Sequence, residues 1–353
     1  MNTAVFPIYR LLALVAPWAA LSLLAFFPQP MTAAPAGQTL PVVIHLITLG
    51  FIVPLFLLAL YRQLGEKTCW SKMTLPTALV FLVGMLLFMP GFWTSHRMVL
   101  YIGGHYLTPT ALYVFCGQAA WTLWKNKGDR NLSPWAWPLG GLFLTINIGG
   151  MLVADRFYGG KYAFYVPTYI LTHLLSALFL FVIPWILVAK GKTEKLGWIF
   201  LGGLGVVTCF LYGHFTEEPQ AWSLAAIIGA GMFFMVGRAF NWLDEAQKPL
   251  KLGWFLGALG LILASLGRGV ALFEGPGFLA FGFFLIFGLL LPSLLAQTRC
   301  APGLRHRICG HLGLLLGWLM ALSQAWALPP QPVALIYLAY WIWVSWPLAK
   351  AEV

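Results

Sequence analysis

Residues 41–61 read PVVIHLITLGFIVPLFLLALY, twenty-one residues with one histidine, one threonine and no charge. A run of this length spans the hydrocarbon of a bilayer as a helix, since about 20 apolar residues at 1.5 Å each cover about 30 Å. A soluble core helix would show a polar stripe, and none is present here. His45 and Pro54 interrupt an otherwise apolar surface, and in lipid each requires a reason.

The rest of the chain follows the same pattern. It has 353 residues, 60% of them apolar and only 9% charged, with a mean hydropathy of +0.83. That leaves too little polar surface to cover a soluble globule. Similar runs, bounded by proline, glycine or charge, fall near 10–27, 41–61, 75–94, 106–124, 135–154, 165–189, 196–213, 220–240, 252–272, 277–297, 308–327 and 331–348. The expected fold is all-α, a polytopic membrane helix bundle of about 12 transmembrane helices forming one integral membrane domain over 1–353. The runs are too long and too uniformly apolar for the alternating strands of a barrel. No room remains for a large catalytic domain outside the bilayer.

Charge gives the orientation. Of 21 Lys and Arg, 17 collect at one face: in the loops containing Arg62, Lys67 and Lys72, then Lys125, Lys127 and Arg130, then Lys190, Lys192 and Lys195, then Lys248 and Lys251, then Arg299, Arg305 and Arg307, with Arg10, Arg238 and Lys350. Only Arg97, Arg156, Lys161 and Arg268 fall on the other. The positive-inside rule makes the crowded face and both termini cytoplasmic, and an even span count agrees with it. The expected location is the bacterial inner (cytoplasmic) membrane. Topology thus accounts for the net charge of +11, and no nucleic-acid partner is needed to explain it. The stretch from Arg10 through Met31 to Ala36 resembles a signal peptide, but Leu11 to Phe27 is long for one. Five scattered cysteines, with no CxxC pair, indicate neither a disulfide framework nor a zinc site.

Histidine inside a bilayer is a functional candidate by default. His45, His96, His105, His173 and His214 fall on the outer side, and His306 and His311 on the cytoplasmic side. His45 and His173 lie within apolar runs and carry the most weight. His96 and His105, at span ends, suit interfacial or hydrogen-bonded roles as well as ligation, and His214 is open between the two readings. The same layer holds Asp155, Glu217, Glu218 and Glu274. Glu217 and Glu218 would stand beside His214 if that helix continued, but Pro219 argues that it stops. Arg268, in Gly267-Arg268-Gly269, needs a counter-charge, either Glu274 or an anionic group on a cofactor.

His45-Leu46-Ile47-Thr48-Leu49-Gly50-Phe51 is echoed by His173-Leu174-Leu175-Ser176-Ala177-Leu178-Phe179, and the tail of the pattern recurs in Gly277-Phe278-Leu279-Ala280-Phe281-Gly282-Phe283. Spacing by four spans suggests three quasi-equivalent four-helix units. Pro54, Pro184 and Pro292 lie within the same three runs, where proline kinks a helix and frees carbonyls.

With these residues the chain resembles the heme-copper oxidase subunit I superfamily, and in particular its short, divergent NnrS-like members, heme- and copper-containing membrane proteins linked to nitric oxide tolerance. The resemblance extends over the chain in span count and rests on spans 2 and 6 in residues. It implies heme b and copper as cofactors, His45 as axial ligand of a low-spin heme, and His173 as a copper or heme ligand. His214 and His105 are further candidate metal ligands, and outer-face Arg97, Arg156 and Arg268 would pair with heme propionates. It also implies a small diatomic gas and an electron donor as partners. The superfamily's histidine pair on span 10 is absent here, only His214 stands at span 7, and Tyr169 precedes His173 instead of following it. An oxygen-reducing binuclear centre is therefore not expected. Two other classes stand beside this one. A twelve-helix secondary transporter of a small solute would suit the 37 glycines, the 23 prolines and the polar residues Gln118 and Asn147. A membrane-embedded transferase would use Glu217, Glu218 or Asp155 as acid or base.

Overall fold

In a computed structural model, the described residues are 5–26, 39–94, 96–157, 172–241, 244, 247–266, 311–319, 329 and 331–350. All regular structure among them is helical, as the uninterrupted apolar runs require. Six helices are long and apolar enough to cross a membrane: Phe6–Phe26, Val42–Lys67, Ser71–Gly91, Thr172–Ala189, Leu196–Thr216 and Pro219–Ala239. They coincide with the expected spans 1, 2, 3, 6, 7 and 8. The expected run at 277–297, Pro292 and the third echo lie outside the described residues. Large apolar side chains face outward along these helices, among them Leu11, Leu86, Leu201 and Ile227. Lipid offers such surfaces an environment that water does not.

The chain divides into two compact units, Met1–His173 with Val353, and Leu174–Glu352. The first contains α1 (Val5–Phe26), α2 (Thr39–Ile47), α3 (Val53–Leu64), α4 (Thr74–Thr94), α5 (Arg97–Tyr101), α6 (Thr108–Lys125) and α7 (Ala136–Phe157). Its helices pack through small residues. A Cβ on Gly50 would strike Ala16 of α1, and one on Gly91 would lie 2.5 Å from the Leu100 backbone. In lipid, close backbone approach of this kind replaces the hydrophobic drive that water would supply. Tyr9 stacks on Tyr61 at 6.4 Å, and Tyr61 meets Phe115 edge-on at 5.2 Å.

In the second unit are α8 (Ile183–Ala189), α9 (Leu196–Thr216), α10 (Pro219–Ala239), α11 (Lys248–Leu266) and α12 (Gln331–Lys350). Phe179 settles into two glycine notches: a Cβ on Gly203 would lie 2.8 Å from the Phe179 carbonyl oxygen, and one on Gly229 3.0 Å from its ring. α9 ends at Thr216, with Glu217 left-handed at φ 57° and Pro219 opening α10. The helix stops where Pro219 indicates, and Glu217 and Glu218 are exposed.

Among the described residues three helices contain a wide π turn, at Thr48–Ile52, Ile102–Leu107 and Ala177–Val182. Each ends one residue short of a proline that stands at the second position of the next α segment: Pro54, Pro109 and Pro184. The residue before each proline donates its N–H five residues back, Val53 to Thr48, Thr108 to Gly103 and Ile183 to Leu178. Proline explains the coincidence. Its ring clashes with the carbonyl four residues earlier and it has no N–H to give, so adding one residue to the turn moves that carbonyl aside. Since each residue advances the helix by about 100°, everything N-terminal to the turn is rotated by that amount against an unbroken helix. His45, three residues before the first π turn, is re-aimed in this way. His105 lies inside the second π turn, and His173 stands four residues before the third.

Candidate functional site

The two deep histidines both belong to the first unit. His45 sits in α2, half-buried, its ring edge-on to Phe88 of α4 at 5.1 Å. Phe88 is itself fixed, buried in a cluster with Val42 and Leu100. A Cβ on Gly104 would strike its ring, and one on Gly103 would come within 2.5 Å of its backbone nitrogen. His173 is helical, and it lies within electrostatic reach of His45. The backbone of Thr145, in α7, also acts on the His173 ring.

Gly149, one turn beyond Thr145, makes room for that ring: a Cβ there would lie 2.7 Å from His173 Cε1 and 3.3 Å from both nitrogens. His173 Nδ1 is shut off from solvent and has no hydrogen-bond partner. A buried polar atom without a partner costs about 1–3 kcal/mol, and native structures seldom leave one without a purpose. Metal-binding histidines are typically arranged like this, with backbone orienting the ring and one nitrogen left for the metal.

The remaining candidates are dispersed. His105 stacks on Tyr101 at 4.8 Å and meets Tyr106 edge-on at 5.2 Å, and the two tyrosine hydroxyls are 3.2 Å apart. Its π turn flanks Phe88, the ring that His45 also touches. His96 caps α5, its Nδ1 accepting from the Val99 N–H at 3.4 Å, a structural role. His214 belongs to the second unit, in the last turn of α9 against Phe210 at 6.4 Å. Arg97 opens α5 and Arg156 lies near the end of α7, both by backbone position. Arg268, Lys161, Asp155's side chain and Glu274 lie outside what is described. Among the described residues, no three His, Cys, Asp or Glu side chains gather as a metal-binding group.

At the other end of this unit Gln118, Thr122 and the Tyr61 hydroxyl are engaged, while the buried hydroxyl of the neighbouring Tyr9 has no partner. Gln118 of α6 is buried; its Oε1 accepts from Tyr61 Oη at 2.8 Å, and its Nε2 donates to the carbonyls of Cys69 and Trp70 at 2.8 and 3.0 Å. Thr122 accepts from the Cys69 N–H at 3.0 Å and donates to the Gln118 carbonyl. Lys67 and Asp129 pair at 2.7 Å across the neighbouring loops. The Lys67 hydrogen bond and the Asn131 backbone N–H hold the Asp129 carboxyl below its ordinary range. Gln118 is therefore a staple at a helix end, not the midmembrane polar residue of a transport path. Asn147 accepts from Tyr113 Oη at 3.0 Å and lies on the exposed side.

Sequence reasoning missed Gly149, Thr145 and Phe88. Only packing distinguishes Gly149 from the other glycines; the His45 and His173 echo marked the ring but not its seat. Comparison with known proteins adds nothing to this geometry, since no protein-family model, curated protein or solved structure matches the chain.

Proposed function

We propose that this chain is a heme-copper oxidase-like integral membrane protein that binds heme b, copper or both through His45 and His173, in nitric oxide tolerance or respiratory metabolism. The observation that carries the reading is His173 Nδ1, buried and unpartnered against Gly149, in a ring within electrostatic reach of His45. The residues present fit such a group: two imidazoles from different helices, a backbone contact that orients one, and a glycine where a side chain would block the ring. Heme or copper held by these residues would supply reversible one-electron chemistry.

The chain's own residues do the rest. Phe88 holds the His45 ring on edge, Thr145 sets the His173 ring, and the three π turns aim their helices. Arg97, Arg156 and Arg268 are the outer-face cations available to propionates; His105 remains as a further ligand, and His214, in the second unit, as a separate candidate. The charge distribution supports twelve spans, both termini in the cytoplasm and a site near the outer face of a bacterial inner membrane.

The test is an absorption spectrum of detergent-purified protein, oxidised and dithionite-reduced, with iron and copper determined on the same sample. A Soret band with near-stoichiometric iron, or stoichiometric copper, is expected, and it should disappear in His45→Ala and His173→Ala. Metal retained in both variants overturns the assignment. Protein with neither metal, made under ample supply of both, would favour a small-solute transporter instead.

A further inference from the structure

Where the first unit's polar network reaches the surface, it presents an aromatic and cationic face that the metal-site reading does not use. Trp70 and Trp121 stack with parallel rings at 6.0 Å, and Trp124 continues the cluster at 4.9 Å from Trp121. All three are substantially exposed, Trp70 by 56% and Trp124 by 59%. Lys125 lies over the Trp121 ring at 5.5 Å. In the same two loops Lys72, Lys127 and Arg130 are exposed, none with a carboxylate partner among the described residues. The nearby carboxylates in these two loops are Glu66 and Asp129, and Lys67 engages Asp129.

Trp70 is the decisive residue. Its backbone is left-handed, φ 52° and ψ 40°, a conformation that favours glycine over any β-carbon-bearing residue. Its carbonyl is held by Gln118 Nε2 at 3.0 Å and by the Met73 N–H at 2.9 Å, and the preceding N–H is held by Thr122. A turn needing only to connect α3 with α4 would place glycine here. The network instead holds a strained tryptophan so that its indole lies on the surface. The spans Val42–Lys67 and Ser71–Gly91 end at this turn, so the indoles lie at the depth where aromatic rings meet lipid headgroups.

We propose that this face binds an anionic phospholipid, its acyl chains along the Trp70, Trp121 and Trp124 rings and its phosphate among Lys72, Lys127 and Arg130. Charge complementarity selects the headgroup, and the strained indole selects a lipid over a free anion.

The full-length detergent-purified protein is examined by native mass spectrometry and thermal unfolding with phosphatidylglycerol, phosphatidylcholine or glycerol 3-phosphate. Wild type is expected to retain phosphatidylglycerol over phosphatidylcholine and to melt higher with it. Removing cations one at a time with Lys72→Gln, Lys127→Gln and Arg130→Gln should weaken that preference by about fivefold per charge. Trp70→Gly relaxes the turn, so it should melt in phosphatidylcholine at least as high as wild type yet lose the lipid. Equal retention of both lipids, or phosphatidylglycerol retained undiminished by the variants, overturns the proposal. Stabilisation by glycerol 3-phosphate alone would make this a soluble-anion site, and a dimer mass lost in Trp70→Gly would assign the face to a second copy; each equally overturns it.

Discussion

The two ends of the first unit treat polar groups in opposite ways. Around Gln118 the side chains of Gln118, Thr122 and Tyr61 have all found protein partners, and the result is a locked turn. Around His173 a buried nitrogen has none, a glycine stands where a side chain would fill space, and a wide turn upstream of Pro54 re-aims the facing histidine. The cost of an unmet polar atom is greater in lipid than beside water, so the first arrangement is what a membrane protein needs to hold together. The second leaves a ring nitrogen for a bound group to complete.

The largest expected effect contrasts the ends directly. His173→Ala should lower bound metal at least tenfold while leaving the melting temperature of the metal-free protein nearly unchanged. Gln118→Ala should do the reverse, leaving the metal and costing about 2–3 kcal/mol by orphaning Tyr61 Oη and the Cys69 carbonyl. Equal metal loss in both, measured as iron and copper per chain, would erase the distinction.

Next is Gly149→Val, which sets carbon against the His173 ring at the 2.7 Å approach described above. Metal affinity should drop by about tenfold, and titration of the purified apoprotein reads it. A variant that binds as tightly as wild type would mean the ring has another seat.

Pro54→Ala should have an intermediate effect. It restores an N–H and removes the ring clash, letting the helix return toward an α register and turning His45 by up to about 100° against α3. Several-fold weaker metal binding is expected, whereas Pro90→Ala, in a helix with no π turn, should leave it unchanged.

The smallest effect concerns the locked end. Asp129 has its folded value depressed, so the Lys67 pair contributes stability above the unfolded carboxylate range and loses it as pH falls through the depressed value. The pair is exposed, so its contribution is small. Wild type should melt slightly above Asp129→Asn at neutral pH and merge with it in strong acid. A gap that persists in acid would show that the pair is not its source.

Much of the architecture was legible because lipid imposes one requirement on every residue of a span. The apolar runs located the six membrane-spanning helices found among the described residues, and Pro219 located the end of α9. His45 and His173 stood out because histidine is rare at such depth. The π turns were less visible: Pro54 and Pro184 suggested kinks, while the added residue that accommodates them depends on which carbonyl must move. Their spacing also corrects the echo. Aligned on the prolines, His45 is nine residues back and His173 eleven, so what the two runs share is the wide turn, and their histidines sit at different phases. Gln118 looked like a midmembrane polar residue because composition does not reveal depth or partners. Gly149 had no signal at all, since its significance lies in the ring opposite.

The three wide turns can also be regarded as line defects in an ordered lattice. A π turn in a helix resembles a dislocation, one extra unit that can glide by exchanging hydrogen bonds with its neighbours. Here a proline pins each defect on its C-terminal side, because the preceding N–H always reaches back five residues. The extra unit thereby fixes the azimuth of the segment ahead of it, setting His45 about 100° from where an unbroken helix would place it against α3.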